Sequence, residues 1–182
     1  IRNNPPDRCY LCKKTLFSTL KHYADSKGFA HVVDGSNADD SGAFRPGLKA
    51  LAELGIRSPL MEAGLTKDEI RSLSKKAGLP TWDKPALACM LTRIPYDTMV
   101  EEKALKMVEE AEYFMYDNGY PGTRIRIHSD LARIECPFEY FEKITETGER
   151  ERISAALKKI GFRYITLDIE GYRSNDSNAQ NN

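Results

Sequence analysis

The spacing of the apolar residues changes near Tyr96, and this change constrains the fold more than any other feature of the chain. Upstream of Tyr96, short apolar runs alternate with helical segments, which is typical of a parallel α/β sheet. Downstream, a long helix, a hairpin, a helix and a strand predict a small α+β unit. The predicted helices cover 13–27, 46–54, 67–77, 100–118 and 149–159, and the predicted strands cover 29–33, 58–62, 124–128, 131–136 and 164–169.

This change divides the chain of 182 residues into two predicted domains, 1–96 and 97–172. The last ten residues, 173–182, are polar and low in complexity, which predicts a disordered tail. The fold class expected from the sequence is therefore α/β, with a parallel-sheet domain followed by a small α+β domain.

The charge balance excludes several classes of function. The chain has 27 basic and 27 acidic side chains, so it lacks the basic excess expected of a nucleic-acid-binding protein. No apolar run has the length of a membrane span, and no signal peptide is evident at the start, so we expect a cytoplasmic protein without a membrane partner. In that compartment the four cysteines are expected to be thiols, metal ligands or catalysts.

Three of these cysteines form the strongest chemical signal in the chain. Cys9 and Cys12 form a Cys-x-x-Cys pair, and Cys89 stands alone in a distant segment. Three thiolates with one open position fit a [4Fe-4S] cluster better than a closed zinc site, which needs a fourth ligand. A disulfide between Cys9 and Cys12, or two unligated thiols, are the alternatives. The fourth cysteine, Cys136, is predicted to be a buried structural thiol.

The predicted hairpin places several arginines on one face. A two-residue turn at Ser129-Asp130 puts Arg126 opposite Arg133 and Arg124 opposite Glu135. Two facing guanidinium groups are favourable only with an anion between or above them, and a phosphate would suit. His128, at the end of the same strand, is placed to contact that anion. A solvated face with screened charges is an equally good interpretation of this pattern.

Two other sets of acidic residues are candidates. The loop Asp34-Gly35-Ser36-Asn37-Ala38-Asp39-Asp40 leaves a predicted strand at its end, where ligands of open α/β sheets gather. Glu112 lies on a helix rich in Glu, where most such side chains form a solvated face.

A family resemblance connects these motifs. Asn4-Pro5-Pro6-Asp7-Arg8-Cys9, the Asp34–Asp40 loop, Arg45-Pro46-Gly47-Leu48, Ser58-Pro59-Leu60, Glu62-Ala63-Gly64-Leu65-Thr66-Lys67 and the segment Pro80–Tyr96 around Cys89 occur in this order. The chain resembles the LarE family of ATP-dependent sulfur transferases, in the PP-loop ATP-pyrophosphatase superfamily. The similarity runs from about Asn4 to Ile169. It implies that 1–96 is the C-terminal part of a PP-loop domain and that 97–172 is a substrate or oligomerisation domain.

The resemblance also implies a reaction. Members of the family install sulfur on a pyridinium-3,5-dicarboxylate mononucleotide, a precursor of the nickel-pincer cofactor of lactate racemase. ATP adenylates a substrate carboxylate, and a sulfur nucleophile then displaces AMP. The nucleophile is either a sacrificed cysteine, which becomes dehydroalanine, or a sulfide carried by a [4Fe-4S] cluster on a cysteine triad. The triad in this sequence favours the cluster.

The resemblance assigns roles to particular residues. Cys89 is the catalytic cysteine and, with Cys9 and Cys12, a cluster ligand. Glu112 matches an acidic position near the active site or a bound metal. Arg93 is expected to stabilise the Cys89 thiolate or to hold the substrate. The other implied sites are the substrate-binding Arg124 and Arg126 and the residues Asp34, Asn37 and Asp39 on the ATP/Mg side. Relatives form trimer-based hexamers, so a homo-oligomer is expected.

The sequence departs from the family at one important point. The signature Ser-Gly-Gly-x-Asp-Ser, which cradles the phosphates of ATP, does not occur in this chain. We interpret the chain as a fragment that lacks most of the ATP site, so by itself it is expected to be inactive. The alternatives are a PP-loop tRNA or nucleotide thiolase, which would need a basic surface, and a non-catalytic metal-binding fragment.

Overall fold

The computed structural model describes residues 1–42, 45–84 and 88–172, and their contacts divide the chain into two compact units. The first unit comprises Ile1 and Pro6–Leu87, and the second comprises Arg2–Pro5 and Ala88–Asn182. The division falls between residues 87 and 88, whereas the sequence prediction placed it between 96 and 97. The predicted disordered tail, 173–182, lies outside the described residues.

The first unit is helical. It contains α1 (Arg8–Ser26), a 3₁₀ turn (Ala38–Gly42), α2 (Pro46–Leu54), α3 (Pro59–Glu62) and α4 (Lys67–Lys76). Helix α2 packs closely on α1: a Cβ atom at Gly47 would lie 2.8 Å from Cδ of Lys13. Gly55, at φ 65°, ends α2 in the left-handed conformation that glycine adopts without strain. Thr66 and Glu69 form a capping box at the start of α4.

Both strands predicted in this unit are wrong. Within 58–62, residues 59–62 form α3 instead, because Pro59 is at its first position, where a missing N–H costs no hydrogen bond. Residues 29–33 have no strand partner among the described residues beyond one parallel bridge between Val33 and Arg57. Phe29 and Val33 expose 64% and 55% of their surface, so the segment is not buried either. The predicted parallel sheet is thus absent from the described part of this unit.

Two helices of the first unit also expose apolar side chains. Leu16, Leu20 and Tyr23 on α1 are exposed. Helix α4 has no buried residue, and Leu73 exposes 51% of its surface. Within the described residues, no other element covers these faces.

The second unit confirms most of the predicted elements. It contains a 3₁₀ turn (Met90–Arg93), α5 (Glu102–Asp117), β1 (Arg124–His128), β2 (Leu131–Glu135), a second 3₁₀ turn (Phe138–Tyr140), α6 (Phe141–Thr145), α7 (Thr147–Ile160) and β3 (Tyr164–Leu167). The strands form one sheet in the order β1-β2-β3. β1 and β2 are antiparallel, and β3 runs parallel to β2 after the crossover through α7.

The register of the hairpin is the predicted one. Arg126 lies opposite Arg133 and Arg124 lies opposite Glu135. The opposite face is buried and packs on α5, whose buried residues are Met107, Val108, Ala111 and Met115. The buried residues of the strands are Ile125, Ile127, Ala132 and Ile134.

Cys136 follows β2 and is fully buried, as predicted. Burial raises the pKa of its thiol to about 11, so the group is neutral at physiological pH.

The described residues therefore form a mixed α/β structure, with the sheet confined to the second unit. None of the helices in the described ranges has both the length and the apolar character needed to cross a lipid bilayer.

Candidate functional site

The 3₁₀ turn Met90–Arg93 carries Cys89 at its start and Arg93 at its end. The carbonyl oxygen of Cys89 accepts hydrogen bonds from the backbone N–H of Thr92 at 2.9 Å and from its hydroxyl at 2.7 Å. The Cys89 residue itself is exposed. The turn thus fixes the backbone of Cys89 and leaves the residue accessible, which is what a reacting or ligating thiol needs.

The buried side chain of Arg93 connects this turn to helix α5 through hydrogen bonds. The Arg93 side chain is only 4% exposed. Its Nε and Nη2 donate to the two carboxylate oxygens of Glu112 at 2.8 and 3.1 Å, a bidentate pair. Its Nη1 donates to the hydroxyl of Thr92 at 2.7 Å and to the carbonyl oxygens of Ala88 and Cys89 at 3.3 Å. In this structure Arg93 therefore holds the Cys89 turn, and its predicted contact with substrate stays a prediction.

Glu112 connects three elements of the second unit. Besides Arg93, it accepts the backbone N–H of Ile125 in β1 at 3.0 Å, and Nη1 of Arg124 lies 4.0 Å from its other oxygen. Helix α5, strand β1 and the Cys89 turn thus meet at one carboxylate. The position of Glu112 in the sequence is consistent with this contact role. Glu112 is four residues after Val108 and next to Ala111, so it borders the buried stripe of α5.

Glu135 balances the facing arginines of the hairpin. Its Oε1 accepts Nε of Arg126 at 2.6 Å and Nη2 of Arg133 at 3.0 Å. The Glu135 side chain is 1% exposed, and its Oε2 has no hydrogen-bond partner among the described residues. The facing arginines were predicted to need an anion between or above them, and in this structure a carboxylate of the chain itself supplies it.

Arg126 also reaches the cysteine turn, because its Nη1 donates to the carbonyl oxygen of Thr92. Arg133 has a second partner, Asp168, with 3.5 Å between Nε and Oδ2. Burial, together with Arg133 and Arg126, lowers the pKa of His128 and outweighs the opposite effect of Glu135. A neutral imidazole is thus favoured beside the arginines.

Sequence reasoning missed two members of this cluster, Glu135 and Thr92. Glu135 was identified only as the partner of Arg124 in the register, whereas its ion pairs run diagonally to Arg126 and along its own strand to Arg133. Arg124 and Arg126 do border the same site as the turn, but the structure does not test whether they bind a substrate phosphate.

Cys9 and Cys12 lie in the first two turns of α1. Residues three apart are neighbours on a helix surface, and both cysteines are exposed, so the pair suits a shared ligand. They belong to the first unit and Cys89 belongs to the second, so the convergence of the three sulfurs stays a prediction. Inside each unit, the described His, Cys, Asp and Glu side chains form no group of three arranged to hold a metal ion.

The loop after Val33 is held by its own acidic side chains. Asp34 accepts the hydroxyls of Ser58 at 2.6 Å and Ser36 at 2.7 Å, and Nζ of Lys13 lies 3.3 Å away. Burial raises the pKa of Asp34, but the hydrogen bonds from Ser58 and Ser36 and the charge of Lys13 outweigh it and lower the pKa overall.

Asn37 and Asp39 have structural partners as well. Oδ1 of Asn37 accepts the N–H of Asp39 at 3.0 Å, and Asp39 accepts the N–H of Lys67, the first residue of α4, at 2.8 Å. The predicted nucleotide-binding role of Asp34, Asn37 and Asp39 remains a prediction.

No family model matches the chain, but comparison with individual known proteins places it in a family. It is 39% identical, over 98% of its length, to the pyridinium-3,5-bisthiocarboxylic acid mononucleotide synthase of Lactiplantibacillus plantarum. It is 41% identical over 96% of its length to an uncharacterized protein of Synechocystis, and 34% identical over 96% to one of Methanocaldococcus jannaschii. The chain spans 64% of the length of the synthase, and 65% and 67% of the other two. It therefore belongs to the LarE family of that synthase.

Proposed function

We propose that this chain is part of an ATP-dependent sulfur transferase that makes a thiocarboxylate on a pyridinium-3,5-dicarboxylate mononucleotide, a step toward the nickel-pincer cofactor of lactate racemase. The observation that carries the proposal is the turn at Cys89: an exposed cysteine whose backbone is held by a buried arginine that is paired with Glu112. The similarity to a synthase of a bisthiocarboxylic acid mononucleotide supports the substrate class.

The reaction needs an activated carboxylate. A carboxylate oxygen of the substrate attacks the α-phosphorus of ATP, pyrophosphate leaves, and an acyl adenylate forms. A sulfur nucleophile then adds to the acyl carbon, and AMP leaves with the electron pair of the broken C–O bond. The sulfur must be a thiolate or a sulfide, because a neutral thiol is a weak nucleophile.

The chain's residues have distinct roles in this proposal. Cys89 is the catalytic cysteine, and Arg93 and Glu112 fix its backbone through the contacts of the turn. Arg124 and Arg126, beside the same turn, bind the anionic groups of the substrate. For Arg126 this requires that a substrate oxygen share or replace the contact with Glu135. The loop residues Asp34, Asn37 and Asp39 would bind ATP and Mg, the role expected of them in a PP-loop enzyme.

The donor set suits an iron–sulfur cluster by its chemistry. Cys9 and Cys12 form an exposed pair on one helix, and Cys89 is an exposed thiol. These three cysteines would hold a [4Fe-4S] cluster, which supplies an iron with an open position for an extra sulfide. The protein is further proposed to be a cytoplasmic homo-oligomer, a trimer or hexamer, with a small-molecule substrate and no nucleic-acid or membrane partner.

One experiment separates the cluster from the sacrificial version. In the sacrificial version the Cys89 thiolate forms a thioester with the acyl group. Removal of the Cα proton of Cys89 then breaks its Cβ–S bond and leaves a thiocarboxylate and dehydroalanine. We expect no loss of mass at Cys89 when the iron- and sulfide-loaded protein turns over with ATP and substrate. Loss of one hydrogen sulfide per chain, confined to Cys89, would contradict the cluster proposal.

The substrate role of Arg126 has its own test. Arg126→Ala is expected to weaken binding of the mononucleotide by about 2–3 kcal/mol, because one or two charge-assisted contacts are lost. Arg126→Lys retains the charge and should lose less. Arg150 lies exposed on α7, so Arg150→Ala is the matched control and should bind like the wild type. Unchanged affinity of the Arg126→Ala protein, measured by calorimetry, would return Arg126 to a purely structural role.

A further inference from the structure

Asn4 is a polar residue that is completely buried although it lies near the start of the chain. Its side-chain Nδ2 donates to the carbonyl oxygens of Ile94 at 2.8 Å, Pro95 at 2.9 Å and Leu91 at 3.2 Å. These acceptors are about 90 residues away in the sequence and belong to the segment that contains and follows the Cys89 turn. One amide nitrogen thus donates hydrogen bonds to three backbone carbonyls of that segment.

The backbone around Asn4 continues the same connection. The carbonyl oxygen of Asn4 accepts the N–H of Asp97 at 3.2 Å, and that of Arg2 accepts the N–H of Val100 at 2.7 Å. This is why Arg2–Pro5 belongs to the second unit while the residues that follow belong to the first. Residues 2–5 therefore run along 91–100 as a strap.

The chemistry of the strap requires asparagine. Asn4 has φ 49°, a left-handed conformation that asparagine adopts more readily than most residues. Its Oδ1 has no hydrogen-bond partner among the described residues, so its side-chain hydrogen bonds in this structure go to the turn segment through Nδ2. Aspartate has the same shape but would present a carboxylate to three carbonyl oxygens.

We propose that Asn4 is a positioning residue for the site at Cys89. It holds the far end of the turn, while Arg93 and Arg126 hold the carbonyls of Cys89 and Thr92 from within the unit. Loss of the Nδ2 contacts frees residues 91–95 and lets the Cys89 thiol depart from its productive position. The catalytic part of this inference rests on the proposed sulfur transfer, but the strap itself does not.

The test uses Asn4→Asp and Asn4→Gly in the protein that carries this chain. Asp keeps the size of the side chain, and Gly tolerates the positive φ if Asp prevents folding. Asn3→Asp makes the same chemical change at the exposed neighbouring position and is the matched control. Hydrogen exchange at the N–H groups of Thr92 and Ile94 is compared with exchange at Val108 and Ala111 in the buried stripe of α5.

Exchange at Thr92 and Ile94 is expected to accelerate about tenfold or more in both variants, since each lost hydrogen bond changes an equilibrium by about two- to tenfold. Exchange at Val108 and Ala111 should stay unchanged. We expect kcat for sulfur transfer to fall about 10- to 100-fold, because small displacements of a reacting group have effects of that size, while KM for ATP is unchanged.

Two results would overturn the inference. Exchange at Thr92 and Ile94 equal to that of the wild type shows that Asn4 does not hold the turn. Equal acceleration at all four amides shows that Asn4 stabilises the whole unit and does not position the turn. If the wild-type protein transfers no sulfur, the proposed function fails, and the exchange data alone still decide whether the strap exists.

Discussion

Replacing Glu112 with glutamine is expected to destabilise the second unit by about 2–4 kcal/mol. Glu112 accepts three hydrogen bonds, two from Arg93 and one from Ile125. Oε1 accepts two of these bonds, so a glutamine oxygen there can keep Nε of Arg93 and the N–H of Ile125. Nη2 of Arg93 then loses its partner, at about 1–3 kcal/mol when buried, and the guanidinium loses its counter-charge at a similar cost. Arg93 is 4% exposed, whereas Glu112 is 16% exposed. Water that reaches the Glu112 position offsets part of this lost free energy. We therefore expect a destabilisation in the lower half of the range that the two costs give together.

The assay is hydrogen exchange at the slowest amides of α5, which report the opening of the whole unit. Glu109→Gln is the matched control, because Glu109 lies on the same helix and is exposed. It should change the free energy of opening by less than about 0.5 kcal/mol. A loss below about 1 kcal/mol in the Glu112→Gln protein would contradict this expectation, since it would mean that Arg93 finds other partners at no cost.

Three further predictions concern stability and reactivity. Thr66→Ala removes the side-chain cap of α4 and should cost about 1 kcal/mol in urea unfolding of the first unit, with Thr98→Ala as an exposed control. The buried, neutral thiol of Cys136 should react with maleimide far more slowly than the three exposed cysteines, and equal rates for all four would contradict its burial. Hydrogen bonds from Arg152 and Tyr120 lower the pKa of Glu149 to about 2, against an ordinary value of 4.5. Its contribution to stability is therefore fully present above pH 4.5 and is lost as the pH falls toward 2, and Glu149→Gln should remove this dependence in acid titrations.

The second unit was predictable because its signals are local. The period-two alternation over 124–135 and the turn at Ser129-Asp130 fix the hairpin register, and a one-residue slip would expose the buried Ile125 and Ile134. The burial of Cys136 followed from the same alternation. In the first unit, short apolar runs such as 29–33 resemble strands, but a strand also needs neighbours. Val33 meets only Arg57 among the described residues.

The candidate site was predictable in its residue types more than in its contacts. The exposure of Cys89 agrees with a reactive thiol, and Arg124, Arg126 and Glu112 do surround its turn. The sequence did not show that Arg93 is buried against Glu112, because that pairing depends on how the turn packs on α5. Nor did it show that Glu135 neutralises the arginines, since a carboxylate that forms diagonal ion pairs leaves no periodic pattern.

Cys89 is proposed to be required for sulfur transfer to an adenylated carboxylate. The most direct measurement is mass spectrometry of the thiocarboxylate product, formed from ATP and the dicarboxylate mononucleotide by anaerobically iron- and sulfide-loaded protein. The wild type and a Cys136→Ser control should form the product, and Cys89→Ser should form none, because a hydroxyl neither ligates iron well nor delivers sulfur. Product formation by the Cys89→Ser protein at the rate of the wild type would contradict the claim.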